Sequence, residues 1–388
     1  MLFWSVEESK GASEHLARLN GVKRTLLRLF MERLGRAKPT MRNPTKPPNI
    51  ASIAEAAGVS PMTVSRALKD HPSVAEQTRI KIQAIARQMN YVPNLLVGGI
   101  MWGRTRTIGL IISPGRYYSS VIRGVHDELA LHNYAMILSC DSDPISKPVP
   151  AIHEAHVRRL VERRVDGIIL RLPDSTAPAD YLEELRDRNI PLVLLDQPLA
   201  DKRLPVVESE NFDGARQIGV VAWEMGHRHL AFVGGPSHLT QGQERLRGFM
   251  SPFKESGDPF HVHKISAVDW AFSVGVGLDI LTRNPRPTVV FCVADDAAPA
   301  IYEAASRLRL RIPEDVSVVG FGNLDICTVM TPPLASVEQF PQDVGRVAAR
   351  TLLDILRFSS SDKKVPQQVH RMPTEFILRG SMARVSGA

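Results

Sequence analysis

Between residues 107 and 321, short apolar runs alternate with longer amphipathic stretches. The runs TIGLIIS, AMILSC, VDGIILRL, IPLVLLD, HLAFVGG, TVVFCVAD and DVSVVGF are each bounded by turn residues, as strands buried on both faces of a parallel sheet should be. Between them lie segments with helical spacing: YSSVIRGVHDELALHN, HEAHVRRLVERR, DYLEELRDRN, FDGARQIGVVAWEMG, QERLRGFMSPFKESG and AIYEAASRLRL. Strands alternating with helices of about 10–16 residues argue for βαβ units. Roughly 270 residues of this texture exceed one open sheet, so the pattern predicts an α/β core of two doubly wound parallel-sheet lobes.

Upstream the period changes, and residues 49–91 read as three compact helices. SIAEAAG places Glu55 three residues after Ser52, a capping-box arrangement, and closes at Gly58. After a tight GVS turn, Ser60 is suited to cap a second helix. Pro61 then takes its first position, where a missing N–H costs nothing. Val64, Ala67 and Leu68 form its apolar stripe. A third helix is expected over residues 75–89, with Ile80, Ile82, Ile85, Ala86 and Met89 on its buried side. Two short helices joined by a turn and buttressed by a third make an all-α helix-turn-helix headpiece.

Before the headpiece, Leu16, Leu19, Leu26, Leu29 and Phe30 recur at helical spacing until Pro39, Pro44, Pro47 and Pro48 mark a linker. The expected layout is a basic extension and Pro-rich linker over 1–48, the headpiece over 49–93, a hinge over 94–106 and the core over 107–388. The extension is expected to lack fixed order, and residues 1–40 to be dispensable. Within the core, one lobe is expected to take residues 107–210 plus 322–337, and the other 211–321 plus 338–380.

Charge sharpens this division. The net charge is +7, of which the first 48 residues carry +6, residues 49–106 carry +4 and the remainder −3. A basic end on a near-neutral body is the electrostatic footprint of a nucleic-acid-binding head. The three cysteines, Cys140, Cys292 and Cys327, fit neither a disulfide framework nor a zinc site. The opening MLFWSV lacks the apolar region of a secretory signal, and no run of apolar residues is long enough to cross a membrane. The expectation is a reduced, cytoplasmic protein without membrane association, metal or other cofactor. HEAH spaces its histidines three apart rather than four, and a solvated helix is expected there. HVH is not accompanied by a further His nearby in sequence, and neither a phosphate-binding Gly loop nor a G-x-S-x-G elbow is present. An enzyme is not expected.

With Val64, Ala67 and Leu68 turned inward, Pro61, Met62, Ser65 and Arg66 face outward, with Ser60 and Thr63 near the helix start. Arginine can pair with guanine O6 and N7 in the major groove, while hydroxyls and free amides suit phosphate oxygens. Here the chain resembles the lactose/galactose repressor family of bacterial transcription regulators, over about residues 49–379. The resemblance rests on AGVS-x-x-TVSR at 57–66, Y-x-PN at 91–94, RTRTIGL at 104–110, RVDGIIL at 164–170, GHRHLAFVGG at 226–235, RLRGF at 245–249, IPEDVSVVGF at 312–321 and PPLASV at 332–337. It implies a headpiece, a short hinge and a periplasmic-binding-protein-like core that dimerises. By the same resemblance, Pro61, Met62 and Arg66 occupy base-reading positions, and Ser60, Thr63, Ser65, Tyr91 and Asn94 fall where the family touches the DNA backbone. It also implies a hinge helix that forms on operator and wedges an apolar residue, here Ile100, into the minor groove. Val97-Gly98 stand there in place of the family's usual Ala-Arg, followed by Gly99, and the two glycines cost a helix about 1 kcal/mol each.

In a two-lobed core, ligands settle at the carboxyl ends of the strands. Tyr117 and Tyr118, Arg171, Arg245, Trp270, Asp295 and Asn323 are the candidates at such ends or on following loops. The resemblance makes Arg245 an effector-contacting arginine, with a fork suited to sugar hydroxyls or a carboxylate, and Trp270 a stacking aromatic. Trp270 as core, Asp295 as a helix N-cap and the tyrosines as exposed loop remain open readings. Ala294 and Gly322 replace a usual Asn and Asp of the family; Asp296 or Asn323 are the possible substitutes. The expectation is a homodimeric repressor of a carbohydrate-catabolic operon, bound to a near-palindromic double-stranded operator and controlled by a sugar or sugar acid between the lobes. Two alternatives stand beside it: an effector-independent architectural DNA binder, and a solute-binding protein.

Overall fold

The computed structural model describes residues 48–92, 104–113, 115–140, 149–172, 180–198, 204–236, 239–266, 272–358 and 369–385. The chain divides into two compact units, Met1–Asn94 and Leu95–Ala388.

The first unit holds α1 (Ile50–Ala57), α2 (Pro61–Ala67) and α3 (Glu76–Gln88). Asn49, rather than Ser52, caps α1: its Oδ1 accepts from Ser52 N at 2.9 Å, while Ser52 Oγ accepts from Asn49 N at 2.9 Å. The expected Ser52–Glu55 box is displaced because Asn49 and Ser52 make the same reciprocal exchange three residues earlier. Gly58 ends α1 in the left-handed region at φ 71°. Ser60 caps α2 as its sequence suggests, accepting from Thr63 N at 3.2 Å, with Pro61 in the first turn. Ile53, Ala54, Ala57, Val64, Ala67, Val74, Ile82 and Ala86 close the core, with Leu68, Ile85 and Met89 packed against it. Ile80 is a correction: it is exposed, because the inward stripe of α3 runs through Ile82 and Ala86.

The second unit opens with β1 (Thr107–Ile112), α4 (Arg116–Leu131), β2 (Ala135–Cys140), α5 (Val149–Glu162), β3 (Gly167–Arg171), α6 (Asp180–Asp187), β4 (Leu192–Leu195) and β5 (Val206–Ser209). The chain then crosses to a second lobe of α7 (Asn211–Glu224), β6 (His229–Gly234), α8 (Thr240–Ser256), β7 (His261–Ser266), α9 (Val274–Leu281), β8 (Val289–Cys292), α10 (Ala298–Arg307), β9 (Ser317–Val319), α11 (Ile326–Val329) and β10 (Ser336–Glu338). It returns to the first lobe for α12 (Pro341–Phe358) and β11 (Val369–Met372), and crosses once more into β12 (Glu375–Ile377). The first sheet is wholly parallel in the order β11-β5-β4-β3-β1-β2; the second is parallel in the order β7-β6-β8-β9. β10 and β12 form a short antiparallel pair.

This return corrects the expected lobe boundaries. Residues 322–337 belong with the second lobe, because Leu334, Ala335 and Val337 are buried in its cores. Residues 341–372 belong with the first. Val344, Ala348, Leu352, Leu353 and Leu356 of α12 pack on Ile108, Leu110 and Ile112, and β11 extends the sheet beside β5. Each lobe brings two helices into backbone contact through glycine. A Cβ on Gly345 of α12 would lie 2.1 Å from Val121 O of α4, and one on Gly248 of α8 would lie 2.1 Å from Phe212 O of α7. Helices cover both faces of each sheet, leaving the strands' carboxyl ends to face the gap between lobes.

Candidate functional site

On α2 the buried side is Val64 and Ala67, which leaves Pro61, Met62 and Arg66 exposed and Thr63 and Ser65 half-buried. Met62 retains 53% of its surface. The guanidinium of Arg66 has no hydrogen-bond partner among the described residues. The Ser60 hydroxyl is engaged, capping α2 and bonded to Thr63 Oγ1 at 2.9 Å. Tyr91 is half-buried and packs against the headpiece core, its N–H donating to Ala86 O at 2.9 Å. Asn94, Ile100 and the Gly98–Gly99 hinge lie outside the described residues.

In the first lobe, the carboxyl ends of β1, β3 and β4 and the first turn of α4 converge. Arg171 Nε donates to Tyr118 Oη, Arg171 Nη1 donates to Ser113 Oγ at 2.9 Å, and Tyr118 Oη donates to Asp196 Oδ2 at 2.8 Å. Tyr117 stands edge-on to Tyr118, with ring centroids 5.1 Å apart. Burial pushes the Tyr118 phenol up, and it raises the Asp196 carboxyl too, with Arg171 and the tyrosine hydrogen bond pulling the latter back. Facing them from the second lobe is Arg245, 8% exposed. Its Nε donates to Asn211 Oδ1 at 2.8 Å, its Nη1 donates to Val293 O at 2.7 Å, and its guanidinium carbon sits 3.8 Å from the Phe321 ring centroid. Burial pushes its pKa down to about 10, opposed by Tyr117 and Asp196 across the gap. The group remains charged at neutral pH. At the exposed edge, Arg116 approaches Asp296 of the other lobe at 3.8 Å.

Asp295 and Asn323 are placed differently. Asp295 is fully buried, accepting from Ser336 Oγ at 2.6 Å and Leu324 N at 2.8 Å. It fastens the loop after β9 to β10, and a Cβ on Gly320 would meet its Oδ1 at 2.0 Å. Asn323 Nδ2 donates to Glu338 Oε2 at 2.7 Å, and its Oδ1 accepts from Arg379 at 2.6 Å. The polar atoms of both serve the second lobe's own loops. Gly322 takes φ 131°, which L side chains rarely adopt, so the departure at that position matches the loop's shape. Trp270 lies outside the described residues.

Tyr118, Arg171 and Arg245 are therefore brought to the cleft, together with two residues that sequence reasoning passed over, Asp196 and Asn211. Asp196 was findable: it is the first polar residue after the apolar run IPLVLL, at a strand's carboxyl end. The three crossovers between the lobes are tied to one another by Gln339 Nε2 donating to Ser209 Oγ at 3.0 Å and Glu210 N donating to Met372 O at 2.9 Å. A groove of about 370 Å³ between α5 and α6, with Val157, Tyr181, Leu185 and Arg188 in its walls, shares no lining residue with the cleft. His153 of HEAH is buried and His156 is hydrogen-bonded to Ser139 Oγ, so that helix face is packed rather than solvated. Among the described residues, no group of three or more His, Cys, Asp or Glu is arranged to hold a metal ion, and no helix is long and apolar enough to cross a membrane.

Known proteins carry both units. A model of bacterial regulatory proteins of the lacI family matches residues 49–94, and one of periplasmic binding protein-like domains matches residues 222–382. The HTH-type transcriptional repressor PurR of Photorhabdus laumondii subsp. laumondii is 31% identical over 312 residues, covering 79% of this chain and 89% of the relative. The lac repressor dimer bound to operator and the anti-inducer ONPF superimposes with TM-score 0.74 at 22% identity, covering 87% of this chain and 100% of that one; this likeness shows the fold alone. The complex of the transcriptional regulator CelR with cellobiose gives TM-score 0.62 at 25% identity, covering 86% and 99% of the two chains.

Proposed function

The chain belongs to the lacI family of bacterial regulatory proteins, and from that premise we propose that it is a sequence-specific DNA-binding transcription regulator, a repressor whose operator affinity is set by a small molecule held between the lobes of its core. The observation that carries the DNA-binding half is the outward face of α2. An unpartnered arginine and two exposed apolar side chains stand on a helix whose other side is buried, at the basic end of a chain in which residues 49–106 carry +4 and residues 107–388 carry −3. A surface of that kind gains little in water and fits a major groove. Two such headpieces in a homodimer read the half-sites of a near-palindromic operator, about one helical turn apart.

The effector half rests on Arg171, Tyr118, Asp196 and Arg245 meeting at the strands' carboxyl ends from both lobes. A polyhydroxylated ligand such as a sugar or sugar acid suits this mixed set of forks and carboxylate, and the cellobiose complex of a relative points to the same class. A ligand gripping groups from both lobes favours one lobe angle, and so shifts the population between dimers competent and incompetent for operator. Operation of a carbohydrate-catabolic gene set follows from that ligand class. The role is regulatory, with no catalytic step assigned to any residue.

The test has two stages. Purified full-length chain is used to select duplexes from a random library, which should yield an enriched near-palindrome. A thermal-shift screen of sugars and sugar acids should then give a compound that both stabilises the protein and changes affinity for that duplex. A stabilising compound without effect on DNA binding would contradict the coupling; absence of any enriched duplex would contradict the DNA-binding role.

A further inference from the structure

On the face that α2 turns away from the headpiece core, Pro61 and Met62 take the first turn and Arg66 the last. The hydroxyls at the helix start are engaged locally, since Ser60 Oγ caps α2 and is bonded to Thr63 Oγ1. Met62, 53% exposed, offers no donor and only a weak thioether acceptor. Pressing such a chain against a base edge is favourable where that edge is apolar. In the major groove the one apolar group is the methyl on pyrimidine C5. Met62 precedes Arg66 by four residues, so both project from one side of the helix. Their separation along the axis is about 6 Å, roughly two base-pair steps.

We infer that Met62 reads a C5-methylated pyrimidine, thymine or 5-methylcytosine, within about two base pairs of the guanine held by Arg66. The specificity of this headpiece then rests on one charged fork and one methyl contact per half-site. Replacement of thymine by cytosine at that position costs affinity, and methylation of the cytosine restores part of it. This deepens the reading of α2 as the base-reading helix and rests on it.

The experiment uses the full chain and the duplex enriched from the random library. Each thymine is replaced in turn by deoxyuridine, which keeps the pairing edge and O4 and removes only the methyl. One position per half-site should lose about fourfold in affinity, the value of one methyl taken out of water, and both half-sites together about fifteenfold. At that position 5-methylcytosine should bind about fourfold better than cytosine. Met62→Ala should bind thymine and deoxyuridine duplexes equally, with an unchanged headpiece melting curve because the side chain is exposed; Met62→Leu should keep the discrimination. Deoxyuridine tolerated within about twofold at every position, or discrimination that survives Met62→Ala, would overturn the assignment. Failure to enrich any duplex would overturn the DNA-binding reading itself, a separate outcome.

Discussion

Arg245 is built into the second lobe before any ligand arrives, and its replacement should be felt in the unliganded protein. The guanidinium donates to Asn211 Oδ1 and Val293 O and stacks on Phe321 at 3.8 Å. Hydrogen bonds from a charged donor contribute about 1.5–3 kcal/mol each, and a desolvated cation–π contact about 2 kcal/mol. Burying the guanidinium costs several kcal/mol in return. Arg245→Ala removes the favourable contacts and leaves two buried acceptors without donors, at about 1–3 kcal/mol each. The net loss is on the order of 3 kcal/mol, or a fall of about 6 °C or more in the core's melting temperature. Arg245→Lys keeps the charge but loses the planar stack and the fork, and should fall between. The assay is thermal unfolding without ligand, beside effector titration of the same variants. An alanine variant that melts within about 1 °C of the parent, while losing its ligand response, would refute the structural role and leave Arg245 as a ligand contact alone.

Gly345→Ala places a methyl 2.1 Å from Val121 O, where backbone rather than a side chain must give way. It should destabilise the core by at least about 2 kcal/mol in chemical denaturation, and leave headpiece unfolding unchanged. Ser60→Ala removes the cap of α2 and should cost the headpiece about 1 kcal/mol, read as a lower melting temperature of the helical unit. His227 is buried between Thr288 Oγ1 and Ala383 O, and burial pushes its pKa down to about 4. Its neutral form is the native one, so its contribution is complete above the unfolded-state value of about 6.5 and is lost as pH falls from there toward 4. Up to about 3 kcal/mol depends on this group. A His227→Gln variant should show a shallower fall in stability over that window, measured by urea unfolding at stepped pH; an unchanged slope would remove His227 as its source.

Much of the fold was legible because burial imposes period. Seven apolar runs became β1 to β4, β6, β8 and β9, and Ser60-Pro61 marked the start of α2 within a residue. Partnership was harder to read. The apolar stripe of α12 fits either sheet on hydrophobicity, and the close glycine approaches between α12 and α4, at Gly345 and Gly124, accompany its packing on the first lobe. β10, β11 and β12 are three or four residues long, too short for alternation to register. Ile80 was placed inside because it is isoleucine on a helix, yet it falls outside the stripe that α1 and α2 cover. At the cleft, residue type located Arg171, Tyr118 and Arg245. It gave no sign that Asp295 and Asn323 spend their polar atoms on Ser336, Leu324, Glu338 and Arg379, since those bonds span up to 56 positions in the chain.

As proposed, Arg66 gives the headpiece its sequence preference while the basic surroundings supply general affinity. The most direct measurement is the ratio of affinities for the enriched duplex and for random duplex, at one salt concentration, for the parent and for Arg66→Ala. The parent should prefer its duplex by about 10³-fold or more, and the variant should lose most of that preference with random-duplex affinity little changed. An equal loss on both duplexes would reduce Arg66 to a phosphate contact, and a parent that prefers neither would remove sequence-specific binding altogether.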